Sequence, residues 1–238
     1  MIPKTIYQSW HTRELHPYVQ SQIDRMKQLN PGYRHVIYTD AEMDEFVDEH
    51  FPGEIAECYH RLNIIVAKVD LWRYLVLYTY GGIYLDMDSS ILKPLDELIR
   101  DEDDAIVAFE TNRVYMVQWA LIFSKGHPIL KRVIELVVAN IQQNAFPNDI
   151  HKMTGPSVYT RAIESIRNEQ DLDGVEIGPN ADITYPIGNH RSYRLFGIDY
   201  APFFAFQYPY SNILYANKVH WRRDNQPLLS GKKTITRR

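Results

Sequence analysis

The stretch YGGIYLDMDSS, residues 80–90, is an apolar run that ends in two aspartates one residue apart. In an extended segment alternate side chains share a face, so we expect Tyr84, Asp86 and Asp88 on one side and the apolar residues 83, 85 and 87 on the other. The apolar side can be buried, whereas two neighbouring carboxylates repel each other and favour a bound cation. The stretch therefore predicts a strand that presents a pair of carboxylates at its end.

Strand and helix patterns alternate along most of the chain. Predicted strands lie in TIYQSW, HVIYTD, AIVAFE and WALIFS; predicted helices lie at about residues 18–29, in AEMDEFVDEHF, up to Tyr80, in PILKRVIELVVANIQQ and after TGPS. Asp40 is the expected N-cap of the acidic helix. The alternation predicts an α/β fold with a mostly parallel central sheet flanked by helices. Ligands of such sheets bind beyond the carboxyl ends of strands, where the two aspartates would lie.

Residues 193–215 are crowded with aromatic residues and prolines and have little helical period. We expect irregular structure that packs against the sheet. Most of these rings are expected to serve packing, and some are candidates for lining a sugar-binding cleft, because aromatic faces pack well against the C–H faces of sugars.

The helix before the aspartates, in NIIVAKVDLWRYLVLYTY, is apolar almost all the way round, which is typical of a buried helix. Asp70 and Arg73 are three residues apart and fall on one side of it. Charges in such a place must be paired or must engage a ligand, because burying them alone is costly. The spacing fits equally a structural ion pair and a site in which Asp70 accepts hydroxyl hydrogen bonds while Arg73 holds an anion or the same ligand.

Composition excludes several classes of function. With 238 residues, 45% of them hydrophobic, the chain suits one large globular domain, and its net charge of −4 gives no support to nucleic-acid binding. Cys58 is the only cysteine, so an internal disulfide and a cysteine-built zinc site are excluded. The sequence has neither a signal-peptide pattern nor a run long enough to span a bilayer, which predicts a cytoplasmic protein. The basic end GKKTITRR allows a position at a membrane surface.

Three segments together resemble a known family of enzymes. IPKTIYQSWH, VDLWRYLVLYTYGGIYLDMDSSILKPL and TGPSVYTRA are similar, in this order, to glycosyltransferase family 32, whose sugar-binding region contains a DXD motif. The family includes initiating mannosyltransferases and α-1,4-galactosyltransferases, and the glucosylating domains of clostridial toxins are more distant relatives. The resemblance implies a Rossmann-like GT-A fold in a single domain over residues 1–238, with a nucleotide-sugar-binding core at 1–125 and acceptor-side and C-terminal elements at 126–238.

The resemblance also implies roles for individual residues. Asp88 would be the main metal ligand, and Asp86 would reach the metal through water or contact the ribose and the sugar. Asp70 and Arg73 would hold hydroxyls of the donor sugar, which with the two aspartates makes the expected catalytic group. The remaining residues expected to contact the donor are Trp10, which would stack on the base, Gln8, Tyr84, Trp221 and His220, which is also a candidate metal ligand.

The activity that the resemblance implies is transfer of a hexose, with retained anomeric configuration, from a nucleotide sugar to a glycan, lipid-linked or protein-linked acceptor. A UDP-sugar is the favoured donor, and GDP-mannose is the other candidate. The expected cofactor is Mn²⁺ or Mg²⁺, since carboxylate oxygens suit these ions and a divalent cation neutralises the leaving diphosphate. The absence of a glycine-rich phosphate loop agrees with a metal in that role.

Two other hypotheses remain open from the residues. LDMDSS also resembles the nucleophile motif of haloacid-dehalogenase phosphatases, although that motif lies on the first strand of those enzymes and about 80 residues precede it here. A protein that binds sugar or metal without turnover has the same residues. Slow hydrolysis of a nucleotide sugar would separate the three hypotheses.

Overall fold

A computed structural model describes residues 1–168, 180–188, 190–215 and 227–230. Its first half alternates strands and helices as the sequence predicts. The elements are β1 (Thr5–Ser9), α1 (Pro17–Leu29), β2 (Arg34–Tyr38), α2 (Asp40–His50), α3 (Glu54–Arg61), α4 (Ile65–Tyr80) and β3 (Gly82–Leu85).

The second half adds the strands that extend the sheet and the helices that cover it. The elements are β4 (Ser90–Ile91), β5 (Ala105–Phe109), β6 (Ala120–Phe123), α5 (Pro128–Gln143), α6 (Ile150–Met153), α7 (Pro156–Asn168), β7 (Asp182–Ile187), β8 (Arg191–Ile198) and β9 (Phe204–Ala205). Short 3₁₀ helices lie at Leu95–Glu97 and Ser211–Tyr215. Among the residues that the structure describes, none of the helices combines the length and the apolar character that crossing a membrane requires.

Seven strands form the central sheet in the order β2-β1-β3-β6-β5-β8-β7. The pairs β1–β2, β1–β3 and β5–β8 are parallel, and β6 and β7 run against their neighbours. Five of the seven strands therefore point the same way. The predicted α/β class with a mostly parallel sheet and flanking helices is confirmed.

The connection from α4 to β3 is formed by two glycines. Gly81 ends the helix with a φ of 69°, and Gly82 follows with a φ of 111°, a conformation that favours glycine. A Cβ atom on Gly82 would lie 2.6 Å from the carbonyl oxygen of Thr5, in the neighbouring strand β1. The helix can therefore pass directly into the central strand only with glycine at this point.

Strand β3 separates two hydrophobic clusters. Tyr84 belongs to the cluster that α4 and α5 form on one face of the sheet. Ile83, Leu85 and Met87 belong to the cluster that α1 and the residues after β8 form on the other face. The alternation predicted for this stretch is confirmed as far as Met87, and the strand is covered on both faces.

Two local predictions were wrong. Asp40 is the first residue of α2 and not its cap, because the side chain of Thr39 accepts a hydrogen bond from the backbone N–H of Glu42, whose own side chain accepts from Thr39 in a capping box. Residues 193–215 are not irregular throughout, since the first six continue strand β8 between β5 and β7. Their aromatic side chains hid the alternation that a strand would show.

Candidate active site

The two aspartates lie in a turn rather than in an extended strand. Strand β3 ends at Leu85, where the backbone N–H of Asp86 donates to the carbonyl of Trp119 at 2.8 Å. The backbone N–H of Ser89 then donates to the carbonyl of Asp86 at 3.0 Å, which closes a turn over residues 86–89. The prediction that Asp88 continues the strand face of Tyr84 and Asp86 is therefore wrong, because the chain reverses before Asp88 is reached.

Tyr84 and Asp86 do share a side, as predicted. The Tyr84 hydroxyl donates to Oδ1 of Asp86 at 2.6 Å. The same ring lies under the guanidinium of Arg73, 4.5 Å from its central carbon. Burial raises the pKa of Tyr84 well above its usual value, so this residue is a neutral hydrogen-bond donor.

Arg73 joins helix α4 to the acidic turn. Its Nη2 lies 3.2 Å from Oδ1 of Asp70 and 3.3 Å from Oδ1 of Asp86, and its Nη1 donates to the carbonyl of Gln118 at 3.0 Å. Asp70 and Arg73 are only 3% and 4% exposed. The ion pair that the i, i+3 spacing allows is present, and it extends to the first aspartate of the motif.

The charges within this group influence one another strongly. Burial favours the neutral form of Asp70 and raises its pKa, although Arg73 opposes that shift. Burial also opposes the charge of Arg73, but the carboxylates of Asp86 and Asp70 outweigh it and raise the pKa of Arg73. The guanidinium therefore stays charged in this interior.

Three residues complete the surroundings of Asp70. The amide of Gln118 donates to its Oδ1 at 3.1 Å, and the hydroxyl of Thr154 donates to its Oδ2 at 2.9 Å. The hydroxyl of Tyr74 contacts both the amide of Gln118, at 2.6 Å, and the carbonyl of Thr154, at 3.2 Å. Thr154 lies in the TGPS segment that the family resemblance includes, whereas nothing in the sequence around Gln118 marks it as part of the site.

One polar atom in this buried group has no partner. Nε of Arg73 is inaccessible to solvent and makes no hydrogen bond to any described residue. Buried donors are nearly always satisfied, and an exception calls for an explanation such as an unfilled ligand position. One N–H group of Arg73 is therefore left without an acceptor among the described residues.

Gln8 lies beneath the acidic turn. Its amide donates to the carbonyl of Asp86 at 3.3 Å, and its side-chain oxygen lies 2.8 Å from Nε2 of His35 in strand β2. Burial, with a smaller contribution from Lys27, lowers the pKa of His35 from 6.5 to about 4. Both ends of the Gln8 side chain are thus used within the protein, and the residue supports the turn.

Trp10 follows strand β1 at the same edge of the sheet as the turn. Its backbone N–H donates to the carbonyl of Tyr38 at 3.0 Å. Its ring is half-buried against the second hydrophobic cluster and meets the ring of His11 edge-on at 4.8 Å. Because β1 and β3 are parallel neighbours, Trp10 and the acidic turn lie side by side at their carboxyl ends.

The aromatic segment, which we define as residues 204–210, lies along the other flank of the turn. Its strand β9 pairs with β4 through Ser90 and Ala205, and the backbone N–H of Tyr208 donates to the carbonyl of Asp88 at 2.9 Å. As expected for residues 193–215, most of the rings are buried in the core; these are Tyr193, Tyr200, Phe203, Phe204 and Tyr208. Phe206 and Tyr210 are exposed.

The structure brings together seven of the nine predicted site residues at this edge of the sheet. The other two, His220 and Trp221, lie outside the described residues. Within the described ranges no group of three or more His, Cys, Asp or Glu side chains is arranged to hold a metal ion. The described part of the site thus offers Asp86 and Asp88 as its paired hard oxygen ligands.

The comparisons with known proteins agree with the geometry. Residues 16–105, which include α4 and the acidic turn, match the family model described as "Glycosyltransferase sugar-binding region containing DXD motif". The initiation-specific alpha-1,6-mannosyltransferase of Candida albicans is 24% identical over 209 residues, covering 70% of this chain and 53% of that protein. Inositol phosphoceramide mannosyltransferase 3 of Schizosaccharomyces pombe is 35% identical over 134 residues, covering 56% and 36%. The chain spans about half the length of these curated relatives or less.

Solved structures with the same fold include glycosyltransferase domains of toxins. PaToxG glycosyltransferase superimposes with a TM-score of 0.58 at 21% identity, over 71% of this chain and 72% of that one. The ligand-free glycosyltransferase domain from the YGT toxin superimposes with a TM-score of 0.51 at 8% identity, over 72% and 79%. The resemblance predicted from the sequence is therefore confirmed: this chain has a GT-A fold, and its residues 16–105 match the family model of the sugar-binding region that contains the DXD motif.

Proposed function

We propose that this chain is a metal-dependent, retaining glycosyltransferase that moves a hexose from a nucleotide-sugar donor to a hydroxyl group of a glycan or another acceptor. The observation that carries the proposal is the contact of the buried pair Asp70 and Arg73 with Asp86, two residues before Asp88 in the turn. It joins two charged residues of a buried helix to the acidic turn.

A purely structural ion pair explains this group less well. Buried pairs contribute little net stability unless every donor and acceptor is satisfied, because desolvation offsets the attraction. Here the Nε donor of Arg73 is buried and unused by any described residue. An ion pair with an unused buried donor gains less stability than a fully satisfied one, which favours a ligand-binding role for Arg73 and Asp70 over a purely structural one.

The residues of the turn fit a divalent cation. Asp86 and Asp88 supply hard carboxylate oxygens, which suit Mg²⁺ and Mn²⁺, and such ions complete their shell with water and phosphate oxygens. Oδ1 of Asp86 contacts Arg73 and Tyr84, which fits a contact with the metal through water, and the family resemblance makes Asp88 the main direct ligand. When bound, the cation would neutralise charge on the diphosphate leaving group. His220 stays a candidate for a further ligand.

The protein's own residues would orient the donor. Trp10, at the end of β1, would stack on the nucleobase on one side of the acidic turn. Asp70 would accept hydrogen bonds from sugar hydroxyls, and Arg73 would donate to the sugar or the diphosphate. Gln8 would hold the turn through the carbonyl of Asp86 rather than contact the donor, since its side chain is already engaged at both ends.

The sugar is proposed as a hexose, and the relatives' names support mannose among the candidates. Both curated relatives described above are named as mannosyltransferases. GDP-mannose is therefore tested beside UDP-glucose and UDP-galactose. We also propose the division into a donor-binding part at 1–125 and an acceptor-side part at 126–238, and a cytoplasmic location or one at a membrane surface.

The deciding experiment measures the melting temperature with each of the three donors, in the presence and absence of Mn²⁺. A donor at 100 times its Kd stabilises the folded state by about 2.7 kcal/mol, so its own nucleotide sugar will raise the melting temperature in the presence of the metal. The same donor will be hydrolysed slowly when no acceptor is present.

Three other results would each contradict the proposed function. Stabilisation by a donor without any turnover, even with acceptors, would identify a binding protein. Release of phosphate from p-nitrophenyl phosphate with no use of nucleotide sugars would favour the phosphatase hypothesis. Failure of all three donors, with and without Mn²⁺ or Mg²⁺, to stabilise the protein or to be hydrolysed would overturn the proposal.

A further inference from the structure

Phe206 stands beside the acidic turn and is half exposed. In the antiparallel pair of β4 and β9, Ser90 lies opposite Ala205, and three residues after Ala205 the backbone N–H of Tyr208 donates to the carbonyl of Asp88. These two contacts bracket Phe206 and Gln207, which lie across from Ser89, the last residue of the turn. Phe206 is 50% exposed, so part of its ring is open to solvent next to the turn.

The ring of Phe206 packs on a buried aromatic ring. It packs against Trp119, with 5.3 Å between ring centroids and a tilt of 32° between ring planes, and Trp119 is only 6% exposed. Trp119 is itself fixed to the turn, because its carbonyl accepts from the backbone N–H of Asp86. The Phe206 ring is thus braced relative to the carboxylates rather than free to move with a loop.

The backbone around Phe206 supports the same orientation. Gln207 has a positive φ of 51°, in the left-handed region that residues other than glycine adopt at some cost. This bend lies between Phe206, whose ring is half exposed, and Tyr208, whose ring is buried. The chain therefore adopts a costly conformation between a ring that is open to solvent, Phe206, and a ring that is buried in the core, Tyr208.

The position of Phe206 separates it from the proposed donor contacts. Trp10 follows β1 and Trp119 precedes β6, and these strands flank β3 on opposite sides. Trp119 belongs to the second hydrophobic cluster, whereas Tyr84 and α4 belong to the first, so Phe206 approaches the turn from the face opposite to Asp70 and Arg73. The proposed contacts with the base and the donor sugar are thus made by other residues.

We infer that Phe206 is the platform on which the acceptor's sugar ring stacks. The inference rests on the proposed function and names the acceptor class of the same site: a glycan whose terminal pyranose presents a C–H face to the ring, with its reacting hydroxyl toward the acidic turn. An aromatic face is apolar and matches the C–H face of a pyranose, while the sugar's hydroxyls stay available for hydrogen bonds.

The test compares wild type with Phe206→Ala in two assays. The first measures hydrolysis of the donor in water, and the second measures transfer to methyl α-mannopyranoside, methyl α-glucopyranoside and methyl α-galactopyranoside. We expect wild type to use at least one of these glycosides, and Phe206→Ala to raise the KM for it at least tenfold. Donor hydrolysis and nucleoside-diphosphate affinity will change less than twofold. Phe206→Tyr or Phe206→Trp will restore most of the acceptor affinity.

A matched control removes an exposed ring elsewhere. Tyr80 is 39% exposed and ends helix α4 at the edge of the sheet away from the acidic turn. Tyr80→Ala, measured at the same fraction folded, should leave both donor hydrolysis and the acceptor KM unchanged. An equal effect of the two substitutions would mean that the loss at Phe206 reflects general destabilisation, and would overturn the inference.

Other outcomes also separate this inference from the proposed function. A parallel fall in donor hydrolysis and transfer would make Phe206 a donor contact, and an unchanged acceptor KM would exclude it from acceptor binding. Transfer to a lipid acceptor in detergent, with no saturable use or binding of any methyl glycoside, would replace the sugar ring by a lipid. If wild type uses no donor at all, the proposed function fails; loss of methyl-glycoside binding in Phe206→Ala, seen by saturation-transfer NMR, then still tests the platform.

Discussion

Nη2 of Arg73 lies 3.3 Å from Oδ1 of Asp86, so a residue of the buried helix α4 directly contacts the first aspartate of the acidic turn. The two residues are 13 positions apart in sequence and are separated by the Gly81–Gly82 connection. The contact couples the charge of the turn to the interior of the protein. Substitutions of the two aspartates should therefore have different consequences, although both remove one carboxylate.

Asp88→Asn should abolish transfer while leaving the fold intact. The substitution is nearly isosteric, and it removes a charge that repels the neighbouring carboxylate. If Asp88 is the main metal ligand, turnover will fall by at least a hundredfold and donor binding will lose its dependence on Mn²⁺. Turnover with and without Mn²⁺, together with the melting temperature, is the measurement. Near-normal turnover in Asp88→Ala would refute the metal role.

Asp86→Asn should lose activity and also stability. The substitution weakens the ion pair with Arg73, whose only other described carboxylate partner is Asp70. Because the Asp86 side chain is partly exposed, we expect a loss of about 1–2 kcal/mol rather than the larger cost of breaking a fully buried pair. Urea unfolding of the two asparagine variants measures the difference. Equal stability of the two variants would contradict the structural link between Arg73 and the turn.

The resemblance to known sequences identified the acidic turn and the pair on α4, but not how they are connected. Helical spacing places Asp70 and Arg73 on one side of a helix and cannot tell what that side contacts. The link to Asp86 depends on the helix running directly back into strand β3, which is a tertiary relationship. Gln118 was missed for the same reason, since its amide reaches Asp70 from the segment before β6, 48 residues further along the chain.

Asp70→Asn should reduce turnover strongly and nucleoside-diphosphate affinity only modestly. The lost charge would be felt by the sugar, because Asp70 is proposed to accept from its hydroxyls. Thr154→Val is the matched control: it removes the 2.9 Å hydrogen bond to Asp70 and keeps the carboxylate, so turnover should fall much less. Isothermal titration with the diphosphate and donor turnover per folded molecule distinguish the cases. Unfolding of Asp70→Asn with normal turnover of the folded fraction would mean that the pair is structural.

Trp10→Ala should weaken nucleotide binding. Stacking of a base on an aromatic ring is worth about 1–3 kcal/mol, which corresponds to roughly a tenfold to hundredfold loss of affinity. Trp10→Phe keeps an aromatic face and should retain most of the affinity, which controls for the packing of this ring against the second cluster. Fluorescence titration with UDP and GDP provides the affinities. A loss of equal size in both variants would argue against stacking.

Acid should destabilise the fold through His127. The backbone N–H of Ile129 donates to its Nδ1, so the ring proton lies on Nε2, which donates to the carbonyl of Ser192. Burial lowers the pKa of His127 from 6.5 to about 4, even though Asp104 opposes the shift. The unfolded chain therefore takes up a proton first as the pH falls, and stability present above pH 6.5 is lost towards pH 4, by about 3 kcal/mol.

His127→Asn tests that dependence. Asparagine can still accept from the backbone N–H at the start of α5 but does not titrate. Its free energy of unfolding should vary less between pH 6.5 and pH 4 than that of wild type, with a remaining share from His35, whose pKa is also lowered to about 4. Urea unfolding at several pH values gives the two curves. Parallel curves for wild type and variant would exclude His127 as the cause.

The sequence was least informative where aromatic residues are dense. Strand β8 carries Tyr193, Leu195 and Phe196 with a buried Arg194 between them, so both faces of the strand include apolar or fully buried side chains and the alternation disappears. Arg194 is tolerated there because it forms ion pairs with Asp103 and Asp182. Such compensation cannot be predicted before the partners are known, whereas the long helices, such as α1, α2 and α5, were predicted from their periods.

The two glycines before strand β3 limit how the gene can change in length. A residue inserted or deleted between Tyr80 and Asp86 would turn every side chain of β3 to the opposite face, exchanging Tyr84 with the residues that fill the second cluster. It would also remove a glycine from the site where a Cβ would lie 2.6 Å from Thr5. Homologous genes should therefore keep this six-residue spacing without gaps.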